Sequence, residues 1–349
     1  MRSLNLQIQN NKICLQNYTN VTFISTGSFV TCFSALNKKQ EKVAIIVTDN
    51  LKEVQTRLSL SQRLSDVSGV QKYTECCQLV TNPKDLVIIN QHLSQVYSSN
   101  LYALIGPFYS IQFNEYTKQL NVQQKIDLFY DILVIVMELH SMGIYHMDLK
   151  PSNIMIQNNK PIIIDFGQAV CDIQVDSVLN TSAYSSKHDV YSCKVIPEKF
   201  DVYCLGNILH ELYTHYTLGA PVSYSKELCS KLESVVGILA GDLIIGMTKY
   251  KQDCRYSIEQ CVSHPIFNSS VQDRSAIETF HSQINYKEEQ GLRVNTYSRD
   301  FSYTNLNRLT QDGSFTKLAF TDFDGVEVFS RVNSCALFFE PSYQDELDY

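Results

Sequence analysis

The sequence predicts an α+β protein, with short strands before residue 106 and a long helix after residue 121. Residues 42–47 (KVAIIV) form an apolar run rich in β-branched side chains, which is typical of a buried strand. Residues 122–142 place apolar side chains at near-helical spacing, and Gly143 is a good helix stop. With 349 residues, the chain is long enough to form two domains or lobes.

Weaker local patterns complete the predicted order of elements. Residues 50–65 read as a helix with Leu51, Val54, Leu58 and Leu64 on its apolar side. Residues 70–79 fit either a helix or a strand. Further strands are predicted at residues 86–90, 101–105, 153–156 and 161–164.

Composition and charge narrow the functional classes. A net charge of −7 disfavours a nucleic-acid or anionic-membrane partner held by bulk electrostatics. The apolar run at residues 132–137 is too short to cross a bilayer, and residues 1–10 lack the apolar core of a signal peptide. Eleven cysteines without a C-x-x-C pair favour reduced thiols over a disulfide scaffold or a zinc site. We therefore expect an intracellular, cytoplasmic protein with no nucleic-acid and no membrane partner.

Four polar residues have the spacing that phosphoryl transfer requires. Asp148 can accept the proton of an attacking hydroxyl, and Lys150 can neutralise charge on the moving phosphate. Asn153 and Asp165 can hold Mg²⁺ against a nucleotide, because the predicted hairpin around an Asn158-Asn159 turn would carry both to one side. A plain turn or cap role for Asp148 and Asn153 is the alternative, which the shared spacing disfavours.

These residues lie in motifs that resemble the motifs of a known protein family. Residues 146–153 (HMDLKPSN) and Asp165-Phe166-Gly167 resemble the catalytic loop and the metal-binding DFG triplet of protein kinases. Residues 201–206 (DVYCLG) resemble the family's D-V-W-S-L-G helix start, whose aspartate fixes the catalytic loop through backbone hydrogen bonds. Residues 253–267 resemble its closing R-x-S…H-P-x-F segment. The resemblance extends over residues 24–267.

The resemblance implies a two-lobed, protein kinase-like α+β fold over residues 12–270. A small antiparallel β lobe with one helix is expected at residues 12–105, and a large, mainly helical lobe at 106–270. Residues 1–11 would be an N-terminal extension. Residues 271–349 would be a C-terminal extension of unknown role that could bind a regulatory partner, with strands expected within residues 318–339.

By resemblance, the catalytic residues are Asp148, Lys150, Asn153 and Thr181. Asp148 would orient or deprotonate the hydroxyl of a protein substrate, and Lys150 at this position is typical of serine/threonine kinases. Thr181 would hold Asp148 and Lys150 in register. Mg²⁺ would be held by Asn153 and Asp165. The implied residues of the ATP pocket are Ile24, Gly27, Ala44, Phe108, Met155 and Asp165.

Several positions depart from the family pattern. Ile46 stands where the phosphate-gripping lysine belongs, and no acid occupies residues 61–65, where its glutamate partner is expected. Residues 186–188 (SKH) replace the A-P-E triplet, so Arg255 would lose its usual glutamate and the base of the activation segment would need other contacts. Met147 replaces an arginine that often grips an activation-loop phosphate.

Two functional hypotheses of different class follow. One is a serine/threonine protein kinase that transfers the ATP γ-phosphate to protein hydroxyls, with full or low activity. The other is a pseudokinase that acts as a nucleotide-binding or partner-binding scaffold, and Ile46 is its main support. The complete set of catalytic-loop residues favours the enzyme. A small-molecule phosphotransferase of similar fold is less favoured, since Lys150 and Arg255 resemble protein kinases.

Overall fold

A computed structural model describes residues 2–9, 12–27, 30–82, 84–85, 100–176, 183–192, 194–215, 226–268 and 274–289. The chain divides into two units, of which the first is Met1–Asn285 and the second is Tyr286–Tyr349. Of the second unit, only residues 286–289 are described, as the end of a helix. The strands predicted at residues 86–90 and within 318–339, and Thr181, lie outside the described residues.

Strands and helices segregate along the chain much as the sequence predicts. The strands are β1 (Arg2–Gln9), β2 (Lys12–Leu15), β3 (Thr19–Thr26), β4 (Thr31–Leu36), β5 (Lys42–Thr48), β6 (Glu75–Val80), β7 (Leu101–Pro107), β8 (Ile111–Gln112), β9 (Ile154–Gln157) and β10 (Lys160–Ile163). The helices are α1 (Leu51–Arg63), α2 (Phe113–Thr117), α3 (Val122–Ser141), α4 (Lys187–Val190), α5 (Pro197–Thr214), α6 (Lys226–Val236), α7 (Ile238–Met247), α8 (Ile258–Val262), α9 (Pro265–Asn268) and α10 (Arg274–Glu289).

The described residues of the small lobe include a seven-stranded sheet with the order β2-β1-β6-β7-β5-β4-β3. Its neighbouring strands are antiparallel, except that β1 pairs with β6 in parallel. Strand β1 (Arg2–Gln9), which lies within the segment expected to be an N-terminal extension, therefore forms part of this sheet. The physical reason is the alternation in β1, which buries Leu4 and Leu6 against Phe33 and Ile45 on one face of the sheet.

Helix α1 follows β5 and packs on β7. Asn50 caps it, because its side-chain oxygen accepts a hydrogen bond from Glu53 N at 3.2 Å. Of the predicted apolar side, Val54 and Leu64 are buried, Leu58 is half-buried and Leu51 is exposed. The helix also buries Leu60 and Arg57, which that prediction did not include. Residues 70–79 were predicted to form either a helix or a strand. The second half of this segment lies in strand β6 (Glu75–Val80).

The large lobe is built around α3 and α5. Asn121 and Gln124 form a capping box at the start of α3, and Gly143 (φ 66°) follows its end in the left-handed conformation that glycine tolerates best. Both helices are largely buried, which explains their dense apolar sequences. Among the described residues, no helix is long and apolar enough to cross a membrane.

The hairpin predicted between Asn153 and Asp165 is confirmed. Strands β9 and β10 pair around Asn158 (φ 51°) and Asn159 (φ 61°), whose positive φ values suit a tight primed turn. Beyond the last pair, Ile164 N donates to Asn153 O at 2.9 Å. The hairpin thus brings Asn153 next to the residue that precedes Asp165.

Candidate active site

Asp201, at the start of α5, fixes the backbone of the catalytic loop. Its carboxylate accepts hydrogen bonds from His146 N at 2.7 Å and Met147 N at 2.8 Å, while His140 Nε2 lies 3.0 Å away. Met147 is held in the left-handed region (φ 63°), which is costly for a residue with a Cβ. The two hydrogen bonds offset part of that cost, and the anchoring role predicted for Asp201 is confirmed by this geometry.

Asp148, Lys150 and Asn153 are in direct contact. Lys150 Nζ lies 2.7 Å from Asp148 Oδ2. Asn153 Nδ2 donates to the same oxygen at 3.0 Å and to the Asp148 carbonyl at 2.8 Å. The buried Asp148 carboxylate is therefore oriented by a cation and an amide, both supplied by the same loop.

His146 joins the catalytic loop to the DFG triplet. Its Nδ1 accepts from Asp148 N at 3.3 Å, so the proton of the neutral ring is on Nε2, which donates to Ile164 O at 3.0 Å. The ring also contacts Phe166, with 4.9 Å between centroids. Movement of either segment would therefore disturb the other.

Asp165 is held from two sides. Its backbone is left-handed (φ 64°), and its N–H donates to Gln71 Oε1 at 3.0 Å. Its Oδ1 lies 2.7 Å from Arg57 Nη2. Burial raises the pKa of this carboxyl, but the Arg57 guanidinium outweighs burial and holds the pKa below its ordinary value. The carboxylate is thus anionic at neutral pH, and 41% of the side chain is still exposed.

The donor set fits a nucleotide-bound Mg²⁺. Because Asn153 Nδ2 is committed to Asp148, the amide oxygen is the Asn153 atom available to a metal. Asp165 adds carboxylate oxygens, and Mg²⁺ commonly completes its octahedron with water and substrate phosphates. In the part of the chain that the structure describes, no three His, Cys, Asp or Glu residues form an all-protein metal site.

The residues assigned to the ATP pocket lie on several separate elements. Sheet register places Ala44 of β5 opposite Gly106, two residues before Phe108. Phe108 stacks under Lys42 Nζ, which is 4.0 Å from the ring centroid. Met155 lies on β9, two residues after Asn153.

Ile24 and Gly27 lie at the β3–β4 hairpin, where Gly27 N donates to Val30 O at 2.8 Å. Ile24 is largely exposed, unlike Ala44 and Met155, which are half-buried. The described contacts thus join the catalytic loop to Ile164 and Phe166, the two neighbours of Asp165, whereas the pocket assignments depend on strand position.

Position 46 of β5, where the resemblance would place a lysine, is apolar, and a cation lies instead on the neighbouring helix α1. Ile46 packs against Val54 and Leu104, and Cys32 lies beside it in register on β4. Burial and the charge of Asp165 raise the pKa of Cys32 to about 11.

The α1 residue that contacts Asp165 is Arg57. It does not lie within residues 61–65, where the resemblance would place the glutamate that pairs with the lysine. Ser61 lies one turn further and accepts a hydrogen bond from Tyr73 N at 2.8 Å. The overlooked signal is an arginine between Val54 and Leu58 on the apolar side of the helix, one turn after Glu53.

Arg255 has an anionic partner that sequence reasoning also missed. Asp189 Oδ1 lies 3.0 Å from Arg255 Nη2, its Oδ2 accepts from Nη1, and Ser186 Oγ is 3.3 Å from Nη2. The base of the activation segment was expected to need other contacts, and Asp189 of α4, one residue after the degraded triplet, supplies the anion. The sequence feature that could have predicted this pair is the aspartate one residue after the triplet.

Comparison with known proteins gives a consistent family. The family model described as protein kinase domain matches residues 18–267. "Mitogen-activated protein kinase 13" of Bos taurus is 25% identical over 65% of this chain and 61% of its own length. "Probable dual specificity protein kinase YAK1 homolog" of Encephalitozoon cuniculi is 25% identical over 84% and 71%, respectively. "Probable serine/threonine-protein kinase irlC" of Dictyostelium discoideum is 24% identical over 54% of this chain, which spans only 14% of that protein.

Proposed function

Because the chain belongs to the protein kinase family, we propose that it transfers the γ-phosphate of ATP to serine or threonine hydroxyls of protein substrates. The observation that carries this proposal is the contact of Asp148 with Lys150 and Asn153, at 2.7 and 3.0 Å. A carboxylate held in this way can orient a hydroxyl and accept its proton. Lys150 can then stabilise negative charge on the transferred group.

Asn153 and Asp165 would hold Mg²⁺, which supplies charge neutralisation at the β- and γ-phosphates when bound. The protein's own contribution is to fix these residues relative to each other. Asp201 fixes the loop backbone, and His146 ties the loop to the strand end before Asp165. Such preorganisation is the main source of catalysis in phosphoryl transfer, which requires little covalent chemistry from the protein.

The second candidate is a pseudokinase scaffold, and one observation favours it. Ile46 places an apolar side chain where a phosphate-gripping cation is expected, and it packs against Val54 and Leu104. Loss of one charge-stabilising donor typically costs a factor of about 10²–10³ in rate. A scaffold would tolerate that loss.

A transfer assay separates the two candidates. The full chain is incubated with Mg²⁺, labelled ATP and a general protein substrate such as casein, and phosphoamino acids are identified. Asp148→Asn should reduce incorporation at least about a hundredfold, because it removes the base. Asp127→Asn, an exposed position on α3, is the matched control and should retain activity. Equal silence from all three proteins, with no nucleotide-induced thermal shift, would favour the scaffold.

A further inference from the structure

Arg57 is a buried cation that links helix α1 to the DFG aspartate. Its side chain is only 4% exposed, and Nη2 lies 2.7 Å from Asp165 Oδ1. The guanidinium also contacts Glu53 Oε1 through Nε at 3.0 Å and Nη2 at 2.9 Å. It lies so close to Gly167 that a Cβ there would overlap it. The helix thus meets the DFG triplet through one charged side chain.

The contact is part of a wider set of side-chain contacts around Asp165. The Tyr73 hydroxyl lies near the Arg57 guanidinium and donates to Gln71 Oε1 at 3.1 Å. The same Gln71 oxygen accepts from Asp165 N at 3.0 Å. Asp165 is therefore held by its carboxylate and by its backbone, and both contacts lead back to Arg57. Such a set of contacts restricts the orientation of the carboxylate more than a single ion pair would.

The charged side chains around Arg57 carry a net negative charge, which is compatible with a bound metal ion. One guanidinium faces two carboxylates, those of Glu53 and Asp165, so the cluster carries a net charge of −1. A buried arginine requires such partners, since an unpaired buried charge is strongly destabilising. Asp165 is nevertheless 41% exposed, so its contact with Arg57 does not enclose it.

In strand β5, the position expected to carry the lysine is apolar. This position is Ile46, which packs with Val54 of α1 and is paired in register with Cys32. In the resemblance described above, the strand carries the lysine and the helix carries its glutamate. Here the strand position is apolar, and the helix carries the positive charge.

We infer that Arg57 is the positioning residue of the nucleotide site: it holds Asp165 in its metal-binding orientation and supplies from α1 the cation that β5 lacks. This inference rests on the proposed use of Mg²⁺ and ATP. Its physical basis is that a fork-shaped guanidinium can bind two acceptors at once in a fixed geometry. The position of helix α1 is thereby coupled directly to the metal-binding side chain, without an intervening lysine.

The test is binding of a fluorescent ATP analogue (mant-ATP) to the full chain, with Mg²⁺ and with EDTA. Arg57→Met should weaken binding about tenfold or more with Mg²⁺ and much less with EDTA, as expected for loss of a charged partner. Arg57→Lys keeps the charge but loses the fork, and should show a smaller loss. Arg63→Met, on the exposed last turn of the same helix, is the matched control and should bind like the parent.

An exchange of charge between positions 46 and 57 tests the positioning role of Arg57 without relying on the folding of Arg57→Met. Arg57→Glu adds a third carboxylate beside Glu53 and Asp165 and should abolish Mg²⁺-dependent binding. The double variant Ile46→Lys/Arg57→Glu should recover most of the lost affinity, since it places the cation on β5 and the anion on α1. A double variant as weak as Arg57→Glu alone would show that the two positions do not exchange roles.

Several outcomes would overturn the inference. Unchanged binding in folded Arg57→Met would remove the positioning role, and tighter binding would mean that Arg57 blocks Asp165 instead. Absence of Mg²⁺-dependent binding in the parent would also refute it. Normal binding without phosphate transfer would contradict only the proposed function, so the two failures are distinguishable.

Discussion

Asp189 and Arg255 form an ion pair in which neither side chain is exposed to solvent. The pair joins α4, after the activation segment, to the loop before α8. Backbone carbonyls of Lys199, Lys249 and Tyr250 accept the remaining guanidinium hydrogen bonds. A buried arginine with this many acceptors is held rigidly, and the segment that carries Asp189 is held with it.

Removal of the Asp189 charge should therefore destabilise the fold. Asp189→Asn leaves the Arg255 charge buried without an anion, and we expect a loss of about 3–5 kcal/mol in the free energy of unfolding. Urea denaturation measures the change, with the exposed Asp172→Asn as the control of equal chemistry. A loss below about 1 kcal/mol would mean that the carbonyls suffice to hold the guanidinium.

Asp201 should be needed for both stability and activity. In Asp201→Asn, one acceptor oxygen is replaced by an NH₂ group, which cannot accept the second N–H from residues 146–147. We expect a loss of roughly 1–3 kcal/mol in stability. Phosphate transfer should fall further, because Met147 can then leave its left-handed conformation. Parallel unfolding and transfer assays, with exposed Asp253→Asn as control, measure both; full activity in Asp201→Asn would contradict the anchoring role.

Lys150 should affect turnover more than nucleotide binding. Its Nζ contacts Asp148 Oδ2, so Lys150→Met should lower kcat by about 10²–10³ while leaving the affinity for ATP nearly unchanged. Lys160→Met is the control, since Lys160 is largely exposed and pairs with Asp131. A rise in KM for ATP with an unchanged kcat would instead place Lys150 in ground-state nucleotide binding.

His264 should make the fold less stable in mild acid. Burial lowers the pKa of His264 below its ordinary value, and the contact with Asp242 at 3.1 Å offsets this only in part. Nδ1 accepts from Ile266 N at 3.2 Å, which fits a neutral ring with its proton on Nε2. Tyr256 and His281 also contact Asp242. The unfolded chain binds a proton near pH 6.5, whereas folded His264 binds it only at lower pH, so stability is lost as the pH falls below about 6.5.

His264→Gln removes this titration. The slope of the unfolding free energy against pH should become smaller below pH 6.5, by at most about 1.4 kcal/mol per pH unit. Urea denaturation between pH 5 and 8 tests this, with His215→Asn as control because asparagine tolerates the left-handed backbone at that position. Equal slopes in the parent and His264→Gln would refute the assignment.

Elements with strong local signals were predictable. Strand β5, helix α3 and the β9–β10 hairpin follow from apolar periodicity, from the Asn121 cap and from two adjacent asparagines in a turn. Asp148, Lys150 and Asn153 were predictable as a group, since six residues of chain confine them to one loop. Short sequence separation leaves few alternative arrangements.

The long-range contacts were not predictable from these patterns. Nothing in residues 1–11 specifies parallel pairing with β6, because an alternating strand can add to more than one sheet edge. Likewise, Arg57 could face solvent or the core on the same helix. Its contact with Asp165 depends on the packing of α1 against a segment more than a hundred residues later.

The sequence by itself determined the kinase-like order of elements and the composition of the catalytic loop, since both depend on spacing within short stretches of chain. Only the tertiary structure decided which charges meet: Arg57 with Asp165, and Asp189 with Arg255. A buried ion must find a partner wherever packing brings an opposite charge near, and that choice is made by the assembled core rather than by neighbours along the chain.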